Sequence, residues 1–165
     1  MLNLFKFFAQ IKNLLSTFLI VAIFVIDRFS KNIIIEKVSN NENKTFINDF
    51  LNFDLVWNSG IGFGLLDLEA SIFYHILSGT ILIVILVILI LMGKTKKNDK
   101  FFYALIIGGA IGNLYDRIIY YSVPDFIDFH INDYHWFTFN VADIFISFGI
   151  ILLIGNEILF KNEKN

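Results

Sequence analysis

No cysteine occurs in the 165 residues, which excludes a disulfide, a thiolate nucleophile and any Cys-based metal site. Charge is scarce as well. Only 17% of residues are Asp, Glu, Lys or Arg, against 56% hydrophobic, with mean hydropathy +0.68 and 20 Phe. A soluble domain of this length is nearer about half apolar and about a quarter charged, so a single membrane domain over residues 1–165 is the simplest class. The net charge of −2 gives no basic footprint for nucleic acid. His75, His130 and His135 do not form a metal motif such as HExxH, and neither a metal nor another cofactor is expected.

What the chain has instead is long apolar runs. A helix needs about 20 predominantly apolar residues to cross a bilayer, and the runs place four spans over residues 11–33, 71–92, 101–121 and 139–160. Lys6 and Lys12 sit among Phe residues in a basic amphipathic start. No small-residue cleavage site follows, so the first run is expected to be a retained span and not a signal peptide. Residues 36–70 are rich in Asn and acids, and Phe50 to Trp57 alternates weakly. That pattern predicts a small extramembrane β region over 36–66. Residues 122–137 are expected to form a second outer loop, with Asp125, Asp128 and Asp133 beside the interfacial aromatics Tyr134 and Trp136. Lys6, Lys12, the Lys94–Lys100 cluster, Lys161 and Lys164 fall on one side of a four-span chain. The positive-inside rule then predicts cytoplasmic termini and outward-facing acidic loops.

Ionisable groups at membrane depth are costly and are usually kept for a task. Asn113 and Asp116 are three residues apart, as are Asn140 and Asp143, a spacing that shares one helix face. Two Asp side chains brought together at the bilayer surface could share a proton, because like charges raise one pKa. The ionised partner can then activate a water while the protonated one polarises a carbonyl, as in aspartic proteases. Each residue also has a plainer reading. Asn140 and Asp143 could be only a helix cap, Asp116–Arg117 a structural ion pair, and Asp125 a solvated turn residue. Gly108, Gly109 and Gly112 suit helix packing better than a phosphate cradle. Asp27 could be an interface charge, His75 a packing residue, and Asp128 and Asp133 solvated acids. A small proton-coupled carrier, with Asp116 and Asp143 as relay groups, is the alternative from another class, although the inverted repeat common in carriers is missing. An assembly factor whose carboxylates only cap helices is a third reading.

Four blocks of residues resemble the lipoprotein signal peptidase (signal peptidase II) family. They are Asp27-Arg28-Phe29-Ser30-Lys31, Asn58-Ser59-Gly60-Ile61-Gly62-Phe63-Gly64, Gly108 to Arg117, and Val123-Pro124-Asp125-Phe126 followed by Phe139-Asn140-Val141-Ala142-Asp143. The blocks stand in the family order and span nearly the whole chain. The resemblance implies an α-helical integral membrane protein, with four transmembrane helices, a small extracytoplasmic β-sheet and a short outer helix, in a bacterial cytoplasmic membrane. It implies an intramembrane aspartic endopeptidase that removes signal peptides from prolipoproteins, cutting on the N-terminal side of a diacylglyceryl-modified cysteine. The implied partners are that substrate and membrane lipids, with the enzyme a monomer. The implied catalytic pair is Asp125 and Asp143. Asn58, Gly60, Asn113, Arg117 and Asn140 fall on substrate-binding or supporting positions, as do Asp27 and Asp116, with Asp116 expected to hold Arg117 or the helix end. Three departures stand out: Arg28 for the usual Gln, which adds charge near the site mouth, Gly62 for Ala, and Pro124 before Asp125.

Overall fold

The computed structural model describes residues 2–40, 44–60, 67–95, 99–132 and 134–161. Their order is α1 (Leu2–Ser39), β1 (Lys44–Asn48), β2 (Leu51–Asn58), α2 (Asp67–Lys94), α3 (Lys100–Tyr120), β3 (Val123–Ile131), β4 (Tyr134–Phe139) and α4 (Val141–Lys161). The part of the glycine-rich run from Ile61 to Gly64, including Gly62, lies outside the described residues, as do Lys96, Lys97, Asp133 and Lys164.

Ile81 to Leu91 is unbroken Ile, Leu and Val, a composition that on a half-buried sheet surface would favour a strand. It is helical in α2, the conformation that satisfies every backbone group within one segment, as lipid demands. Two helices among the described residues are long and apolar enough to cross a membrane: Tyr74–Lys94, with mean hydropathy 3.0, and Val141–Leu159, with 1.9. Burial runs opposite to that of a water-soluble core. Lys31, Asp27, Asp116 and Asn140 are fully buried, while Phe18, Ile83 and Ile151 are 71%, 62% and 65% exposed.

Helix α3 packs against α1, α2 and α4. Its glycines make those approaches possible. A Cβ on Gly108 would lie 2.9 Å from Cβ of Ile23 in α1, and one on Gly109 would lie 2.5 Å from the Ala142 carbonyl oxygen in α4. The helix-packing reading of this run is therefore the right one for both positions.

The sheet is antiparallel with order β1-β2-β3-β4. Its two halves come from chain segments separated by α2 and α3, with Val56 opposite Asp125 and Asn58 opposite Val123. This corrects three expectations. Residues 36–39 still belong to α1. Residues 122–137 are not a loop but mostly the β3–β4 hairpin, and Phe139 closes β4 instead of opening the last helix. The acids of this segment suggested a solvated loop. Its Val, Ile, Tyr, Trp and Phe residues decided the outcome, since they suit a pleated surface, and Phe126 and Ile127 pack on Ile34 of α1. Pro124 stands where β3 has only β2 as neighbour, since pairing with β4 runs from Ile127 to Ile131, so its missing donor interrupts no second ladder. His75 is exposed on α2, with its ring edge-on to Tyr74, and is not packed into the helix bundle.

Gly109→Ala should lower stability by about 1–3 kcal/mol, because its Cβ meets backbone that cannot step aside. Thermal unfolding in detergent measures this. Gly155→Ala is the control, since nothing lies within 4 Å of a Cβ built there.

Candidate active site

Three strand and helix ends meet at the carboxylates singled out by the sequence. Asn140 lies between β4 and α4 and caps the helix. Its Oδ1 accepts from the backbone N–H of Asp143 at 3.1 Å, and Oδ2 of Asp143 accepts from the backbone N–H of Asn140 at 3.1 Å. This reciprocal pair is a capping box, so the helix-cap reading of the two residues is correct in geometry. The same Asn140 has a second task. Its Nδ2 donates to Oδ1 of Asp125 at 2.6 Å, so one residue bonds both carboxylate groups, Asp125 through its side chain and Asp143 through its backbone N–H.

The other donors are placed with equal definition. Nδ2 of Asn58, at the end of β2, donates to Oδ2 of Asp125 at 2.8 Å, while its Oδ1 accepts from the backbone N–H of Gly60 at 2.8 Å. Gly60 has φ +75°, a backbone conformation that favours glycine, and a Cβ there would meet only the movable end of the Leu77 side chain. Nδ2 of Asn113, on α3, donates to Oδ1 of Asp143 at 2.7 Å, and its Oδ1 accepts from Nζ of Lys31 at 2.8 Å. In all three Asn side chains the amide oxygen faces a group that can only donate. The amide nitrogens must therefore face the carboxylates.

Behind Asn113 lies a buried ion cluster. Lys31 has no exposed surface and donates to Asp27 at 2.9 Å and Asp116 at 2.7 Å. Arg28 bonds both of the same carboxylates, to Asp27 at 3.0 Å and to Asp116 through both terminal nitrogens. Two cations thus face two anions. The other oxygen of Asp27 accepts from the backbone N–H of Ala142 at 3.0 Å, satisfying an open donor in the first turn of α4. Gly112 leaves room for Asp27, whose Oδ2 would lie 2.6 Å from a Cβ there.

One expectation is corrected by this cluster. Asp116 does not hold Arg117; adjacent residues on a helix do not face each other, and Asp116 turns to α1. Arg117 folds back along α3, donating to the Asn113 carbonyl oxygen at 3.2 Å, with its Nε buried and unpartnered. The charge that Arg28 adds is paired with Asp27 and Asp116, and the Tyr115 ring lies 5.0 Å from its guanidinium carbon.

A family model described as signal peptidase (SPase) II matches residues 19–159. The chain belongs to the signal peptidase II family. It is 43% identical over 152 residues to the lipoprotein signal peptidase of Pelagibacter ubique (strain HTCC1062), covering 91% of each chain. It is 40% identical over 122 residues to that of Francisella tularensis subsp. novicida (strain U112), covering 72% of this chain and 76% of the relative. Two solved bacterial membrane enzymes share the fold. One has TM-score 0.67 and 25% identity over 91% of both chains, the other TM-score 0.68 and 27% identity over 84% and 89%. As a member of the signal peptidase II family the chain is a protease of a bacterial membrane, and the aspartic type is that of the family. None of these relatives supports a carrier.

In this signal peptidase II chain the two Asp residues differ in surroundings. Asp125 is 4% exposed. Burial pushes its pKa above the ordinary carboxylate value; Asn58 and Asn140 oppose that rise, and the charge of Asp143 adds to it. Asp143 is half-buried and lines a groove of 560 Å³ with Phe137, Phe139, Ile144, Phe148 and Ile151. A second cavity of 610 Å³, bounded by Lys94, Asp99 and Glu157, lies at the opposite helix ends, far along α3 and α4 from the Asp pair.

Sequence reasoning gave Lys31 no role beyond its motif. Its spacing of four from Asp27 was the available signal. Lys31→Met, which keeps most of the volume and removes the charge, should destabilise the protein by about 3–5 kcal/mol, the usual cost of leaving buried ions unpaired. Unfolding in detergent with increasing denaturant reads this directly.

Proposed function

We propose that Asp125 and Asp143 are the catalytic pair of an endopeptidase that cleaves diacylglyceryl-modified prolipoproteins on the N-terminal side of the lipidated cysteine. The observation that carries the proposal is Asn140, hydrogen-bonded to both carboxyl groups at the end of an apolar groove. One carboxylate takes a proton from a water, which attacks the scissile carbonyl. The other gives its proton to the developing oxyanion, and the proton is then passed to the leaving amine as the intermediate collapses. Burial and the neighbouring Asp143 charge favour Asp125 as the holder of the shared proton, although titration belongs to the pair.

The same reading assigns the supporting residues. Asn58, Asn113 and Asn140 hold the carboxylates in place, and Gly60 sets the turn that orients Asn58. Asp27 and Asp116 anchor the buried cations behind them. Arg117, among the described residues without a carboxylate partner, is left for the substrate backbone. The substrate enters from the bilayer, with its acyl chains on the apolar helix faces. The chain acts as a monomeric single domain with four spans, both termini cytoplasmic and the Asp pair near the outer surface. Support for this comes from the two strongly apolar helices and from the sequence, where Lys6, Lys12, the Lys94–Lys100 cluster, Lys161 and Lys164 outnumber Lys37 and Lys44 on the other side.

The test is cleavage of a synthetic diacylglyceryl-prolipoprotein peptide by the purified chain. Asp125→Asn and Asp143→Asn should each lower turnover by about 10²–10⁴-fold while leaving thermal unfolding near that of the parent. Undiminished cleavage by either variant would falsify the assignment. The pH profile gives a second check. The pair needs one proton, so activity falls as pH rises through the raised pKa of Asp125. Asn58 lowers that pKa, so Asn58→Ala should move the alkaline limb to higher pH.

A further inference from the structure

The β2–β3–β4 surface gathers polar side chains that the proteolytic site does not use. Asp128 and His130 are two residues apart on β3 and so share a face. Asn52 of β2 stands opposite Asp128, and His135 of β4 opposite His130. The last pairing depends on a β-bulge. Phe129 pairs with Phe137 but His130 pairs with His135, leaving Trp136 as the extra residue. Without it His130 would face Trp136, and His135 would point to the other side. Re-aiming a side chain in this way is a common use of bulges.

Asp128 was expected to be a solvated loop acid. It is instead 3% exposed, and His130 is 8% exposed. Nδ1 of His135 lies 2.8 Å from both oxygens of Asp128, and Nδ1 of His130 lies 3.8 Å from Oδ2. The imidazoles stack at 5.3 Å. Nδ2 of Asn52 is 3.3 Å from Nδ1 of His130 and 3.5 Å from Oδ2 of Asp128, while its own Oδ1 is buried with no hydrogen-bond partner. A buried oxygen in that state is costly, and a half-turn of the amide would aim it at His130.

We propose that Asp128, His130 and His135 form a binding site for a borderline divalent transition metal such as Zn²⁺, with the Asn52 amide at its edge. Their ligand atoms already lie within 4.8 Å of one another. Tetrahedral ligation with bonds of about 2.0–2.2 Å asks for separations of roughly 3.3 Å, and half-exposed His135 can move to close the difference. Two imidazoles with one carboxylate suit Zn²⁺, Co²⁺, Ni²⁺ or Cu²⁺, whereas Mg²⁺ and Ca²⁺ prefer oxygen ligands throughout. A bound ion would clip β4 to β3, the strand that carries Asp125. The role is structural, separate from peptide cleavage, and independent of the assignment of the catalytic pair.

The test uses the full chain without a polyhistidine tag, in detergent, stripped with chelator and titrated with Zn²⁺ by calorimetry. Co²⁺ serves as the visible-absorption reporter. One equivalent should bind and raise the thermal unfolding temperature. His135→Ala should weaken binding at least tenfold and abolish that rise, and His75→Ala should leave both intact. His135 is half-exposed, so this variant does not hinge on refolding a buried site. Asp128→Asn should match it wherever it folds. A folded parent that takes up no Zn²⁺, or unchanged binding by His135→Ala, overturns the proposal.

Discussion

A lysine with no exposed surface must find acceptors, and Lys31 finds three: Asp27, Asp116 and Asn113. The rest of the site is arranged around that requirement. Because the ammonium can only donate, it fixes the oxygen of Asn113 toward itself and the nitrogen toward Asp143. Because Asp27 is held by the same ammonium, its free oxygen is set against the first turn of α4. The start of α4, and with it Asp143, is thereby tied to α1 and α3. Asn140 then passes the constraint to Asp125 on β3. Two charges of each sign keep the cluster balanced, so burial does not leave an unpaired ion.

The solvent explains why such a cluster lies inside. Where the outer face meets lipid, apolar side chains gain little from turning inward, and polar groups gain much by finding one another. Glycines at 108, 109 and 112 bring α1, α3 and α4 close enough for these bonds to form. The proposed catalytic pair benefits from the same confinement. A carboxyl group buried beside a second carboxylate holds a proton at a pH where an exposed one has lost it.

Much of this was legible in the sequence because it follows from local rules. The apolar runs give the helices, and Phe50 to Trp57 gives β2. The three-residue spacing of Asn140 and Asp143 marks both a cap and a shared face. The motif blocks named Asn58, Asn113, Asp125, Asn140 and Asp143, and the fold brings all of them together. What escaped was long-range. Nothing local to residues 123–139 says that their strands pair with β2 across α2 and α3, so their acids looked solvated. Asp116 was matched to its neighbour Arg117, when its partners lie on α1, more than 80 residues away in the chain. The gathering of Asp128, His130 and His135 depends on a single bulged residue, and no spacing rule for metal motifs would have found it.

The central claim is that Asp125 and Asp143 hold one proton between them. Infrared titration of the carboxyl stretch in the purified chain tests it most directly. The account predicts a protonated-carboxyl band that persists above the ordinary carboxylate pKa of about 4. That band should vanish in Asp125→Asn and titrate at lower pH in Asp143→Asn, where the neighbouring charge is gone. An identical band in the parent and in Asp125→Asn, or no such band in the active parent, would contradict it.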